Sequence, residues 1–200
     1  MNATAAGAGA TAPTGRFKRN DWLDCGLACL KADGPTALTL ERLCAAAGRT
    51  RGSFYHHFAD HDTFIEALMQ RWQWLHTNQV IEQVEQLAIN QPGASRPMSL
   101  HEISSGLDHR LELEVRRLGN THLLADAVLR QVDATRLAYL EKLYVESGSI
   151  SKQKAFELAR LEYALFVGLQ TLWPDGEAFD FEASKALYQQ LSQQLTKAAA

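Results

Sequence analysis

The hydrophobic residues of this chain recur at three- and four-residue intervals, and no run shows sustained alternation of apolar and polar side chains. An α-helix gathers i, i+3, i+4 and i+7 on one face, whereas a half-buried strand needs period two. The pattern therefore predicts an all-α protein. Two hundred residues, 46% of them hydrophobic, suffice to bury a sizeable core.

Breakers divide the pattern into helices. Trp22, Leu23, Leu27 and Leu30 share a face of a first helix over about Phe17–Ala32. Asp33-Gly34-Pro35 ends it, because Gly suits the position after the last turn and Pro cannot continue the ladder. A second helix begins at Thr39, a suitable N-cap, with Arg42 in the place where a capping box needs Glu or Gln. Leu40, Leu43 and Cys44 point inward, and Gly48 supplies a cheap left-handed turn. A third, short helix follows over about Thr50–His56 with Thr50 as its cap. Phe54 and Phe58 enter a small three-helix core. Arg49, Thr50, Arg51, Gly52, Ser53, Tyr55, His56 and His57 are left nearer the surface.

A long fourth helix starts near Asp60, with Asp60 and Asp62 at its positive end, and runs to about Leu87. The stretch Asn90–Pro97 breaks the pattern. Further helices are predicted over Ser99–Leu118, Thr121–Glu146 with a bend near Val132-Asp133, Ser151–Trp173, and Phe181–Lys197. The charge-free residues 1–15 read as a flexible arm.

The formal net charge is −3, but its distribution is uneven. From Arg16 to His61, seven Lys/Arg stand against five Asp/Glu, giving +2, and the remainder carries 13 − 18 = −5. A mildly basic front on an acidic body lets one end face phosphates. The odd set Cys25, Cys29 and Cys44 argues against a disulfide framework and reads as small buried residues, with a redox or metal role as the alternative. The longest apolar candidate, Tyr163–Trp173, is too short to span a bilayer, and residues 1–15 lack the basic and Leu-rich regions of a signal peptide. A cytoplasmic protein is expected.

The residues Leu38-Thr39, Leu43, Ala47-Gly48, Thr50-Arg51-Gly52-Ser53-Phe54-Tyr55 and His57-Phe58 together resemble the N-terminal DNA-binding region of TetR-family transcriptional regulators. The close resemblance covers about Phe17–Met69. The departure is His61, where the family often has Lys; an unperturbed His is mostly uncharged at neutral pH. The resemblance implies an N-terminal three-helix domain with a helix-turn-helix (16–61), and a C-terminal helical bundle for ligand binding and dimerisation (62–200).

The residues fit that reading on chemical grounds. Arg51 can offer a bidentate fork to guanine, and Gly52 removes a side chain where a helix would meet the groove. Ser53, Tyr55 and His57 can hydrogen-bond phosphates or bases, and Thr39 places a hydroxyl and a helix start near the backbone. Arg49, Thr50, His56 and His61 complete the candidate DNA-binding set. His57 and His61 are spaced to share a metal, but no third ligand is obvious, so no metal or cofactor is expected.

A lone helix-turn-helix reads few base pairs, so a homodimer on a pseudo-palindromic double-stranded DNA operator is expected. Leu158, Glu162, Leu165, Phe166 and Leu169 trace one candidate dimer stripe, and Leu187, Leu191 and Leu195 another; both could instead face the protein's own core. The resemblance implies a pocket for a small-molecule effector of unknown identity. Trp72, His76, Arg110 and Glu114 are candidate lining residues, with Gln131, Tyr139, Tyr163 and Gln170. The alternatives are a helical interaction protein that has lost DNA binding, or a small enzyme using body residues such as His109, Glu112 and Glu114. The chain has no nucleophile elbow, Gly-rich phosphate loop or HExxH to favour the enzyme.

Overall fold

A computed structural model describes residues 17–146 and 150–175, together with 190 and 194. The expected arm (1–15), the Phe181–Lys197 helix and Leu187, Leu191 and Leu195 lie outside the described residues. What is described is helical: α1 Arg19–Asp33, α2 Leu40–Ala47, α3 Arg51–Tyr55, α4 His61–Gln73, α5 Gln79–Asn90, α6 Arg96–Ser105, α7 His109–Gly119, α8 Leu123–Glu146 and α9 Lys152–Leu172.

The local signals act as read. Thr39, Thr50, Asp60 and Ser151 each accept a hydrogen bond from the backbone N–H three residues on. These caps satisfy donors that have no partner within the helix. Gly48 sits at φ 60° and ψ 38°, with its N–H on the Ala45 carbonyl and the Arg49 N–H on the Cys44 carbonyl. This pair of bonds closes α2 in a Schellman motif.

Three elements differ from the periodicity. The helix expected over Ser99–Leu118 is two helices, α6 and α7. Gly106 closes the first, and the Asp108 carboxylate accepts from the Leu111 N–H at 3.0 Å to open the second. The bend expected near Val132-Asp133 is absent as a break; α8 is one helix of 24 residues. The long helix after Asp60 does run continuously to Asn90, but residues Trp74–Asn78 form a π-turn between α4 and α5. There the Gln79 N–H donates to the Trp74 carbonyl, five residues back.

One hydrophobic cluster joins the front of the chain to the body. It contains Trp22, Leu30, Leu43, Phe54 and Phe58 from the first three helices and their connections, Phe64, Leu68 and Trp72 from α4, and Leu111, Val115, Leu129 and Val132 from α7 and α8. Gly26 lets α1 approach α4 closely: a Cβ there would lie 2.7 Å from Phe64 Cζ and 2.9 Å from Leu68 Cδ1. Phe64 is wedged among Phe54 and Phe58 and cannot yield freely. Gly26→Ala is therefore expected to destabilise the chain by about 1–3 kcal/mol through overpacking, measured by chemical denaturation.

Candidate nucleic-acid interface and core cavity

The helix-turn-helix rests on a chain of aromatic rings. Phe17 meets Trp22 edge-on at 5.2 Å, Trp22 meets Phe54 at 5.3 Å, and Phe54 meets Phe58 at 5.1 Å and Phe64 at 5.3 Å. Trp22, Phe54, Phe58 and Phe64 are buried. The inner face of α3 is thereby fixed, so the opposite face must look outward. On that side Thr50, Arg51, Gly52, Tyr55 and His56 are exposed, with Ser53 half-buried; Tyr55 keeps 54% of its surface. A Cβ on Gly52 would meet only the Thr50 hydroxyl, at 3.8 Å, so the helix surface there is open.

The other candidates are held by the fold. The Arg49 guanidinium lies 5.1 Å over the Phe17 ring, a cation–π contact that fixes its stem beside the turn. His57 donates Nε2–H to the Phe17 carbonyl at 3.1 Å, tying the chain before α1 to the end of α3. His61 donates Nε2–H to the Leu38 carbonyl at 2.5 Å. Both imidazoles thus serve backbone carbonyls, a structural role that spacing did not reveal. Thr39 is exposed, and its hydroxyl caps α2. The Asp60 carboxyl is held below its ordinary range by hydrogen bonds from Thr63, so α4 starts on a charged cap.

The cysteines are free and half-buried. Burial, reinforced by Cys29 beside it, pushes the Cys25 thiol up to about 11, and burial also raises Cys44. At neutral pH both stay thiols, the unreactive form.

A second feature lies in the body. A cavity of about 110 Å³ opens beside the π-turn, between α5, α6, α8 and α9. Val80, Ile81, Leu100, Leu140 and Phe166 supply apolar wall; His76, Thr77, Arg136, Tyr139, Glu162 and Tyr163 supply polar groups. Of the residues proposed from sequence for a ligand, His76, Tyr139 and Tyr163 line it. Trp72 sits one layer behind, Gln131 is exposed, Arg110 reaches Asp175, and Glu114 pairs with Arg117. Gln170 is buried on α9 outside the lining. Glu162, Leu165, Phe166 and Leu169, read from sequence as a dimer stripe, line the cavity, while Leu158 is half-buried.

Behind the polar wall is a buried charge network. Glu112 has no exposed surface. Its carboxylate accepts from Arg136 Nη1 at 3.0 Å and Nη2 at 3.1 Å, from Trp72 Nε1 at 3.0 Å, and contacts His76 Nδ1 at 2.9 Å. Arg136 also donates Nη2–H to the His76 carbonyl at 3.0 Å and Nε–H to the Thr77 hydroxyl at 2.9 Å. The guanidinium thus grips the π-turn from α8. Burial alone would raise the Glu112 pKa, but the Arg136 charge and the His76 hydrogen bond hold it well below the carboxylate range. Alongside, Tyr163 donates to Asp133 at 2.6 Å and accepts from Arg116 at 3.0 Å, joining α7, α8 and α9.

Residues 23–68 match the family model described as bacterial regulatory proteins, tetR family. The N-terminal domain is of the TetR family. Among solved structures, a putative transcriptional regulator from Pseudomonas aeruginosa PAO1 superposes with a TM-score of 0.72 at 18% identity, covering 90% of this chain and 91% of that one. Reduced NemR of E. coli gives 0.70 at 20% identity over 86% and 96%. The fatty acid degradation regulator FadR of Bacillus halodurans gives 0.64 at 19% over 90% and 98%. At these identities the likeness is one of fold, and it extends through the body as well as the TetR-type domain. A search of curated sequences returns no significant match. Among the described residues, no helix is long and apolar enough to cross a membrane.

Glu112→Gln keeps the shape but strands the Arg136 charge in the interior. It is expected to cost about 3–5 kcal/mol in urea or thermal unfolding. Because the folded-state pKa of Glu112 lies below its unfolded value, the native pair stabilises the fold at neutral pH. The gap between wild type and variant should be full above about pH 5 and narrow as the pH falls below about 4.

Proposed function

We propose that this chain is a ligand-responsive transcriptional regulator, a repressor that binds a pseudo-palindromic operator as a homodimer and is released by a small effector. The observation that carries the reading is the exposed face of α3. A short, capped helix in a TetR-type domain presents Arg51, Gly52, Ser53 and Tyr55 outward while its aromatic face is locked inside. Arg51 would read a base edge; Tyr55, Thr39 and Thr50 would take phosphates and set the register. Leu161, Leu165 and Leu172 on α9 are exposed along one side of the helix and are suited to a partner copy. The cavity suits a mostly apolar effector with one or two hydrogen-bonding groups, since its charged groups are already paired. A ligand there would press on the π-turn, which is continuous with the helix that begins beside the recognition unit.

The test is binding of the full chain to DNA from its own promoter region, at several salt concentrations. Sequence-selective, salt-sensitive binding by a species of twice the chain mass is expected; its absence at physiological ionic strength refutes the reading. Arg51→Ala should cost about 1–3 kcal/mol and relax specificity at one base pair of each half-site. Tyr55→Phe should weaken binding to all sequences alike, seen by fluorescence anisotropy.

A further inference from the structure

His57 and His61 suggested a metal pair without a third ligand, but the fold assembles a different set. His61 and Asp62 begin α4, and His122 immediately precedes α8. One ligand atom from each of the three lies within 4.8 Å of the others. His122 Nε2 stands 3.4 Å from Asp62 Oδ1.

We infer that His61, Asp62 and His122 form a site for a divalent first-row transition-metal ion that fastens the start of the DNA-binding region's fourth helix to the body. Four observations converge on it. The donor set is two imidazoles and one carboxylate, which suits zinc and its neighbours better than calcium or magnesium. The His61 ring is already oriented: its Nε2–H is spent on the Leu38 carbonyl, so Nδ1 is left with the lone pair. A backbone carbonyl on the other ring nitrogen is the usual way a metal-binding histidine has its tautomer set. His122 turns Nε2 toward Asp62, and its buried Nδ1 has no hydrogen-bond partner among the described residues, so the ring's polar contact is made at the cluster. Finally, the Asp62 side chain is 69% exposed, which gives an ion a path in and leaves a coordination position for water.

Tetrahedral zinc with ligands at about 2.0–2.2 Å sets donors roughly 3.3–3.6 Å apart. Asp62 and His122 already stand at that spacing, and the pairs with His61, which lie within 4.8 Å, would close by up to about an ångström on binding. The ion would bridge two helix starts that the hydrophobic core already brings together. His122 lies on the body side, and His61 is bonded to the segment just before α2. A bound metal would therefore limit how far the helix-turn-helix turns against the body.

The test uses the full chain and Zn(II) alone, by isothermal titration and thermal shift, with Co(II) spectra to identify donors. One ion per protomer, a raised melting temperature and tetrahedral or five-coordinate d–d bands are expected. His122→Ala and Asp62→Asn should each weaken Zn(II) binding at least tenfold. His61→Gln, which retains a donor for the Leu38 carbonyl, should do the same without unfolding, checked by circular dichroism. His101→Ala, on α6 and outside the cluster, should leave metal binding as it was. Titrations unaltered by His122→Ala and Asp62→Asn, or thiolate-to-cobalt charge-transfer bands from Cys25 and Cys29, would overturn the assignment. So would the absence of saturable binding, which would leave His122 and Asp62 as an ion pair only.

Discussion

A carboxylate and a guanidinium that meet away from water set the terms for the body of this protein. Glu112 comes from α7 and Arg136 from α8, and the latter also holds the His76 carbonyl and Thr77 hydroxyl of the π-turn. A buried charge left without its partner is strongly unfavourable, so none of these three elements can shift without the others. Trp72 and His76 both meet Glu112 at Oε1, the oxygen that Arg136 Nη2 also reaches. The π-turn is thus a fixed irregularity, clamped in the middle of a helix that runs from His61 to Asn90.

That helix connects two kinds of surface. At about 1.5 Å per residue its length is roughly 45 Å. Its first turns pack Phe64 against Phe54 and Phe58, under α3. Its middle carries the clamp, and its next turn supplies Val80 and Ile81 to the cavity wall. A core that is continuous from Trp22 to Val132 means that the front is seated on the body rather than tethered to it. The cavity wall and that core are joined by the polar clamp: Arg136 at the cavity bonds Glu112, which also accepts from Trp72 of the core.

The helix-turn-helix was legible because its signals are local. Thr39, Thr50 and Asp60 cap by bonding backbone three residues ahead, and Gly48 turns left-handed within its own tetrapeptide. Phe54 and Phe58 could be placed inward from period alone. What failed was long-range or depended on competition. The Gly106–Asp108 break lost out to an apolar pattern that continues through it in sequence. The π-turn has no composition signal; it exists where Arg136, about sixty residues away in sequence, takes a carbonyl. His57 and His61 looked like surface contacts until Phe17 and Leu38 offered them carbonyls.

The sequence by itself determined the class of fold, the caps and turn of the DNA-binding unit, and which side of α3 faces out. These follow from side chains acting on backbone within a few residues, or from a period that only one secondary structure can satisfy. Tertiary structure alone decided that Glu112 is an interior anion rather than a surface charge on an amphipathic helix. It also decided that Glu162 and Phe166 line a cavity, and that His61, Asp62 and His122 meet. Each of these depends on groups tens of residues apart arriving at one place, and no spacing rule encodes that arrival.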